Sequence, residues 1–574
     1  MQPFPFSNFF NSITLQSIVE ETDVSIDSEV IQLGEKFWSW RRTQQPRSHD
    51  DITRIARNPK WMPSWSASDV AKYREQYLDF LDLYLKINVG KIKNLNCDKA
   101  TYVDYRILGS AIARVKWEID ILKIWQQQPR FYIDQSIGII FDHLLPEKLS
   151  ANVISEVTNA FSQTPRVLSE GVENLKNHAV KSYAEVAIEL LANIDSQIRE
   201  LVLALSKIAN SAELESLNKV SELAIESFLM FRDWLTNNLE NFAEIKPVGR
   251  DNYVWFFNNV ALVPFTPEYM REVGQIEWDR AVTLESITKN RYRKFPVPPI
   301  PGSAVEQSEN ERVAENSVRS FYESEDLLTQ PETLKHYLNA PMPDYLRPIR
   351  WLGVTDDLTD SSRLNINGIS YVPDPNLNLP YFYAANARDP RAGIVHEGAH
   401  YQQLAISWRH PRLLRQFYYD SGVNEGIAFY NEELMLAAGL FAESPHTQVV
   451  MYNFMKLRAM RVIVDVNLAI GEIDITTATS YLEKKVPMDN QTAHEEAVFF
   501  SSCPGQALTY QIGKTQILKM YSDSVSRFGT SFEIKSFHDY LWLNGNVPIS
   551  LLRFEYLDDI SDLEIIENKK REME

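Results

Sequence analysis

Cysteine is almost missing from this sequence: of 574 residues, only Cys97 and Cys503 carry a thiol. Two thiols make no disulfide framework and suit a reducing compartment. Basic residues are also in short supply, 58 Lys and Arg against 77 Asp and Glu, for a formal charge of -19. That balance argues against a nucleic-acid partner, whose phosphates need cations; spread over so long a chain, it mostly confers solubility. No apolar run reaches the eighteen residues of a membrane span. Met1-Gln2-Pro3-Phe4-Pro5-Phe6 lacks the basic segment and apolar run of a secretory signal. A cytoplasmic protein with no membrane contact is the expectation. There is no internal repeat and no low-complexity tract.

What is present is ordinary for a soluble globular protein, 44% hydrophobic and 24% charged, and long enough to bury a large core. Apolar residues recur at helical steps. In 100–126, Tyr105, Leu108, Ile112, Val115 and Ile119 form one stripe, so that segment is expected to be an amphipathic helix. Similar patterning predicts helices over 12–42, 67–90, most of 148–243, from about 266 to 287, and over 303–340, 389–409, 421–441 and 447–474. Residues 44–64 read as a polar connection, with Trp61, Pro63 and Trp65 as a small cap. Pro296-Val297-Pro298-Pro299-Ile300-Pro301 cannot continue a helix and reads as a stiff linker. It divides the chain into an N-terminal helical half, 1–295, and a C-terminal half, 303–574. The expected fold is all-α, a large two-lobed helical unit with a deep cleft. Residues 341–388 are different, rich in Pro, Asn and Asp, with short β-like runs at 369–372 and 381–383 ahead of the helix at 389. Such a strand can form a cleft wall to which a peptide adds.

That helix carries His396-Glu397-Gly398-Ala399-His400. Two histidines four apart share a helical face, and the glutamate after the first can reach a metal-bound water without ligating the metal. Two imidazoles, a third ligand and a water make a catalytic zinc site, in which the metal lowers the pKa of the water. Asn424-Glu425-Gly426 opens a following helix, with Ile427, Tyr430, Leu434 and Leu436 as its packed stripe. Glu425 is the candidate third ligand, with Arg412 and Arg415 placed to neutralise or orient it. By residue type alone it is equally an acid favoured by a helix N-terminus. Pro504 suits a first helical turn, which would put Tyr510 almost two turns into a helix. Tyr510 is a candidate oxyanion donor, or else a core tyrosine with a satisfied hydroxyl. Tyr105 and Arg106 read as a core tyrosine and a solvated or salt-bridged arginine, His494 as solvent-facing, and Cys503 as a small buried residue.

The stretches HEGAHYQQ, NEGIAFYNEEL and PGQALTYQIG resemble the bacterial domain-of-unknown-function 885 family, mostly helical zinc-peptidase-like proteins with EGWALY-type and PGQALSY-type boxes. Tyr381 to Arg391 and three N-terminal stretches, 104–108, 114–118 and 131–135, are similar as well. The compact HExxH is also similar to that of thimet-oligopeptidase-like and angiotensin-converting-enzyme-like peptidases. Ile427 stands where the family has tryptophan, and Phe499 where it has arginine ahead of PGQAL. The resemblance implies one Zn2+ per chain on His396, His400 and Glu425, with Glu397 as base and Tyr510 as oxyanion partner. The expected activity is hydrolysis of peptide or amide bonds in short peptides. Two other readings remain. One is a non-catalytic binding protein on a peptidase scaffold. The other is a di-iron carboxylate oxidase, with Glu397-x-x-His400 repeated at Glu443-Ser444-Pro445-His446, although Pro445 spoils the second copy as a mid-helix pair.

Overall fold

The computed structural model describes residues 26–48, 51–87, 98–353, 361–375, 378–486 and 488–573. Cys97 and the first part of the helix expected over 12–42 lie outside them. The chain is 72% helical, twice the share of an average globular domain, and its only strands among the described residues are two short ones.

Local chemistry sets many helix ends. Asp98 caps Lys99–Lys116 by accepting from Thr101 N at 2.7 Å. Asn210 and Glu213 form a reciprocal capping box on Ser211–Asn238. Pro267 and Pro445 occupy first turns, where a missing N–H costs nothing, and Gly439 and Gly471 end their helices in the left-handed region. The Tyr105 stripe is buried as its spacing predicts, with Tyr105 stacked on Tyr84 at 4.2 Å. Its last member, Ile119, sits in a π-turn that ends the helix. One hydrophobic core runs from Val30 to Ile566 through both halves of the chain. The Pro-rich stretch connects Pro267–Tyr292 to Ala304–Ser324. Pro267–Tyr292 packs against Pro445–Ile470, with Gly274 seated on Val462 and Ala459.

Three segments depart from expectation. The helix expected over 303–340 ends at Ser324. Asp326 turns left-handed, Pro331 follows, and Tyr337–Pro341 becomes strand β1. It pairs in parallel with β2, Gly368–Val372, Tyr337 facing Gly368. Residues 381–383 are not a strand; they begin the helix Tyr381–Arg388, in which Ala384 N bonds back to Pro380 O. The apolar triplet is amphipathic in helical phase, and Phe382 lies 4.9 Å from Phe454. Trp65, expected in a small cap, joins a larger unit. It is buried in the main core, edge-on to Phe131 at 4.8 Å.

Candidate metal centre

After Asp389-Pro390 the chain winds into a π-turn, Ile394–Gly398, that continues as the α-helix Ala399–Ser407. Single π-turns inside helices are frequent at functional sites. The two imidazoles still converge, rings 4.7 Å apart and nearly perpendicular, with Nε2 atoms 3.2 Å apart. Glu425 comes from the second turn of Ser421–Ala438, whose first turn is capped by Asp420 on Val423 N. Its Oε2 lies 3.3 Å from His396 Nε2 and 3.2 Å from His400 Nε2.

The three donor atoms thus form a triangle with nearly equal sides. Donors about 2.0–2.1 Å from one tetrahedral ion stand roughly 3.3–3.4 Å apart, so the triangle fits Zn2+. Glu425 Oε2 is buried between the two imidazoles, whose Nε2 atoms face it. A buried carboxylate oxygen facing two imidazole nitrogens is the donor set of a zinc site. Among the described residues these three form the one cluster of His, Cys, Asp and Glu with metal-ligand spacing. Glu443 and His446 are not in it; Pro445 starts a new helix between them.

A fourth residue, not anticipated from the sequence, fixes the tautomer. Glu432 is fully buried and its Oε1 lies 2.7 Å from both His396 Nδ1 and Arg458 Nη2. Nδ1–H donating to Glu432 leaves the Nε2 lone pair facing the centre, as a ligand requires. Burial alone would depress the His396 pKa, but hydrogen bonding to Glu425 and Glu432 lifts it to about 9. Burial opposes ionisation of Glu425 too, and the two imidazoles overcome it, holding that carboxyl well below the usual range. Glu432 lies seven residues after Glu425, two turns along the same face. That spacing was the available signal.

Glu397 lines the cleft beside the triangle without joining it. Tyr383 is close enough that burial first, and then the Glu397 charge, raises its pKa. Tyr510 reaches the site by a different route from the one expected. The helix begins at Thr509, not at Pro504, because the PGQAL segment is a turn held by a buried carboxylate. Asp465 accepts from Gly505 N at 2.9 Å, Leu508 N at 3.2 Å and Tyr253 Oη at 2.8 Å. Gly505 has φ +95°, and a Cβ there would meet the Phe256 ring. Tyr510, now in the first turn, stacks over His396 at 5.9 Å and 11°. Arg458 and Arg461 sit 5.4 and 5.3 Å from its ring. Burial, then the Glu425 charge, pushes the phenol pKa far up, so the hydroxyl stays protonated.

Other candidates fall elsewhere. Arg412 and Arg415 do not touch Glu425: both bind the buried Asp104, at 2.6 and 3.0 Å, and Arg415 also binds Glu555. Arg106 is buried and salt-bridged to Glu567, away from the cleft. His494 and Cys503 do not line it either, and Cys503 is half-buried. Ile427 is fully buried in the core.

The centre opens into a cavity of about 750 Å³, within the range of ligand pockets, ~300–1,000 Å³. One side is built from the His box, Glu425, Gln506, Tyr510 and Tyr337 of β1. Other lining comes from Arg47, Ser48 and 52–61, within a stretch read from sequence as a mere connection, and from Ile137–Leu144. Arg54 ties that stretch to the metal helix through Leu404 O and Ser407 Oγ, both at 2.9 Å.

No curated protein matches the chain. Two solved structures share its fold. A candidate lipoprotein of unknown function from Shewanella oneidensis aligns with TM-score 0.66 and 14% identity, over 93% of this chain and 100% of its own. A candidate lipoprotein from Colwellia psychrerythraea aligns with TM-score 0.71 and 15% identity, over 95% and 100%. Residues 339–555, which hold His396, Glu397, His400, Glu425, Glu432 and Tyr510, match the model of a family described as bacterial protein of unknown function, DUF885.

Proposed function

We propose that this chain is a zinc-dependent hydrolase of peptide or amide bonds in short peptides. One observation carries the reading: three donors at tetrahedral spacing open into a ligand-sized cavity that Glu397 and Tyr510 also line. His396, His400 and Glu425 would hold one Zn2+, which supplies Lewis acidity and lowers the pKa of a coordinated water. Glu397 takes a proton from the attacking water on a carboxylate oxygen and returns it to the leaving nitrogen. The C–O bond forms, charge gathers on the carbonyl oxygen, and the C–N bond then breaks, giving a carboxylic acid and an amine. The Tyr510 hydroxyl, kept protonated by its surroundings, donates to the carbonyl oxygen as negative charge develops there. Arg458 and Glu432 hold His396 in the ligating tautomer. The test is metal analysis of the purified protein together with a panel of di- to decapeptides. About one zinc per chain and zinc-dependent cleavage are expected, as for a mononuclear site. Two irons per chain, or no cleavage of any peptide by the zinc-loaded protein, would overturn the proposal.

A further inference from the structure

The cleft contains a cation that the hydrolytic chemistry does not use. Arg57 lines the same cavity as the metal centre. Its guanidinium bonds to the carbonyl of Gln45 and the hydroxyl of Thr53 and lies 3.8 Å over the Trp61 ring. No carboxylate among the described residues comes within ion-pair distance of it, and its Nε is buried without a partner. Its segment is firmly held: three residues earlier Arg54 is clamped to the metal helix and lies 4.4 Å over Trp408, and Asp51 is bound by Arg41 at 2.9 Å. Arg57 is thus presented to the cleft by a braced segment and is not a free surface arginine.

Among the described residues, the acids that act on this cation are held by other arginines. The acid whose charge both Arg57 and the cleft-lining Arg363 feel most is Asp142, and Asp142 is already taken by Arg47 at 3.0 Å. Asp51, the other acid that Arg57 feels, is likewise bound by Arg41 at 2.9 Å. Burial lowers the Arg57 pKa to about 9 and the Arg363 pKa to about 10. A cation held out of water in this way gains strongly from an incoming anion. The guanidinium fork matches a carboxylate geometrically.

We propose that Arg57 receives a carboxylate of the substrate, with Arg363 adding charge, so that the cleft selects peptides bearing a negative group: the C-terminal carboxylate or an acidic side chain. Cleavage of such peptides rests on the hydrolase reading; their binding does not.

Calorimetric titration with three peptides separates the two claims. The probes are N-acetyl-pentaalanine acid, its C-terminal amide, and the amide with glutamate at the central position, each given to the zinc-loaded protein. The acid or the glutamyl amide should bind more tightly than the plain amide, and which of them does identifies the carboxylate. Arg57→Gln should weaken the favoured probe by about 10–100-fold, the size of a lost charged hydrogen bond, and leave the plain amide unchanged. Arg57→Lys should recover part of the loss, and an unchanged Tm in both variants shows that Arg54 still braces the segment. Equal affinity for all three peptides, no binding of any, or selectivity that survives Arg57→Gln overturns the carboxylate subsite. Carboxylate-selective binding without cleavage would leave the subsite standing and overturn the hydrolase reading alone.

Discussion

At the residue scale, the centre assigns different work to neighbouring glutamates. Glu425 offers a buried oxygen to the triangle, Glu397 faces the cleft, and Glu432 grips His396 from behind. Glu425→Gln removes an anionic donor and should lose zinc on dialysis. Glu432→Gln should weaken zinc binding by about 10–100-fold, as losses of outer-shell partners do. Retention of zinc by the Glu425 variant, read by metal analysis, would contradict the ligand assignment. Tyr510→Phe should lower kcat about 10²-fold with little change in KM, zinc content or Tm, since it removes one donor used mainly in the transition state. A core tyrosine bonded elsewhere would instead give normal kcat and a stability loss of about 1 kcal/mol. Most of these residues were legible from residue type and spacing, because HExxH and a following helical glutamate state their geometry in one dimension. Glu432 and Arg458 were harder: each acts by gripping a neighbour rather than the ion, and Arg458 lies 26 and 62 residues along the chain from Glu432 and His396.

At the element scale, the site depends on how closely two helices approach. Ser421–Ala438 brings Glu425, and Thr509–Phe528 brings Tyr510. They cross at Gly426 and Gly513, where a Cβ on Gly426 would stand 2.7 Å from Gly513 Cα. The buried Lys514 locks the crossing through Glu433 at 2.8 Å and Glu277 at 3.0 Å. Gly513→Ala must push the two backbones apart. A loss of about 1–3 kcal/mol is expected, as for overpacking, with kcat falling as Tyr510 moves off the His396 ring. Unchanged thermal unfolding and turnover would mean that the crossing tolerates expansion. Helices were legible here because their apolar periodicity is local. The strand β1 and the PGQAL turn were not, because tertiary partners decide them. β1 exists by pairing with β2, and its Asn339 N donates to Glu311. The turn exists because Asp465, forty residues upstream, captures Gly505 and Leu508.

At the scale of the whole molecule, one core crosses the Pro-rich connection, and the cleft draws on segments as distant as Arg47 and Tyr510. The all-helical character was legible from periodicity. The cleft wall at 52–61 was not, since nothing in a polar connection announces that Arg54 pins it to the metal helix. pH should act on the molecule in two opposite ways. In the metal-free protein the His396 pKa stands near 9, above its ordinary value of 6.5. The ion pairs with Glu425 and Glu432 therefore add stability that is fully present below pH 6.5 and lost as pH rises toward 9. A proton on His396 also competes with zinc, so affinity should rise about tenfold per pH unit over the same window. Chelator-treated protein should thus melt lower at pH 9 than at pH 6.5 while its zinc Kd falls. A Kd independent of pH there would contradict the coupling.

Peptide cleavage by wild type and Glu397→Gln, both loaded with zinc and read by mass spectrometry, decides whether the centre is hydrolytic. The variant should hold as much zinc as the wild type and cleave the same peptides about 10²–10⁴-fold more slowly, the usual contribution of a positioned general base. Equal rates in the two proteins, or no cleavage by the zinc-loaded wild type, would contradict the hydrolase reading.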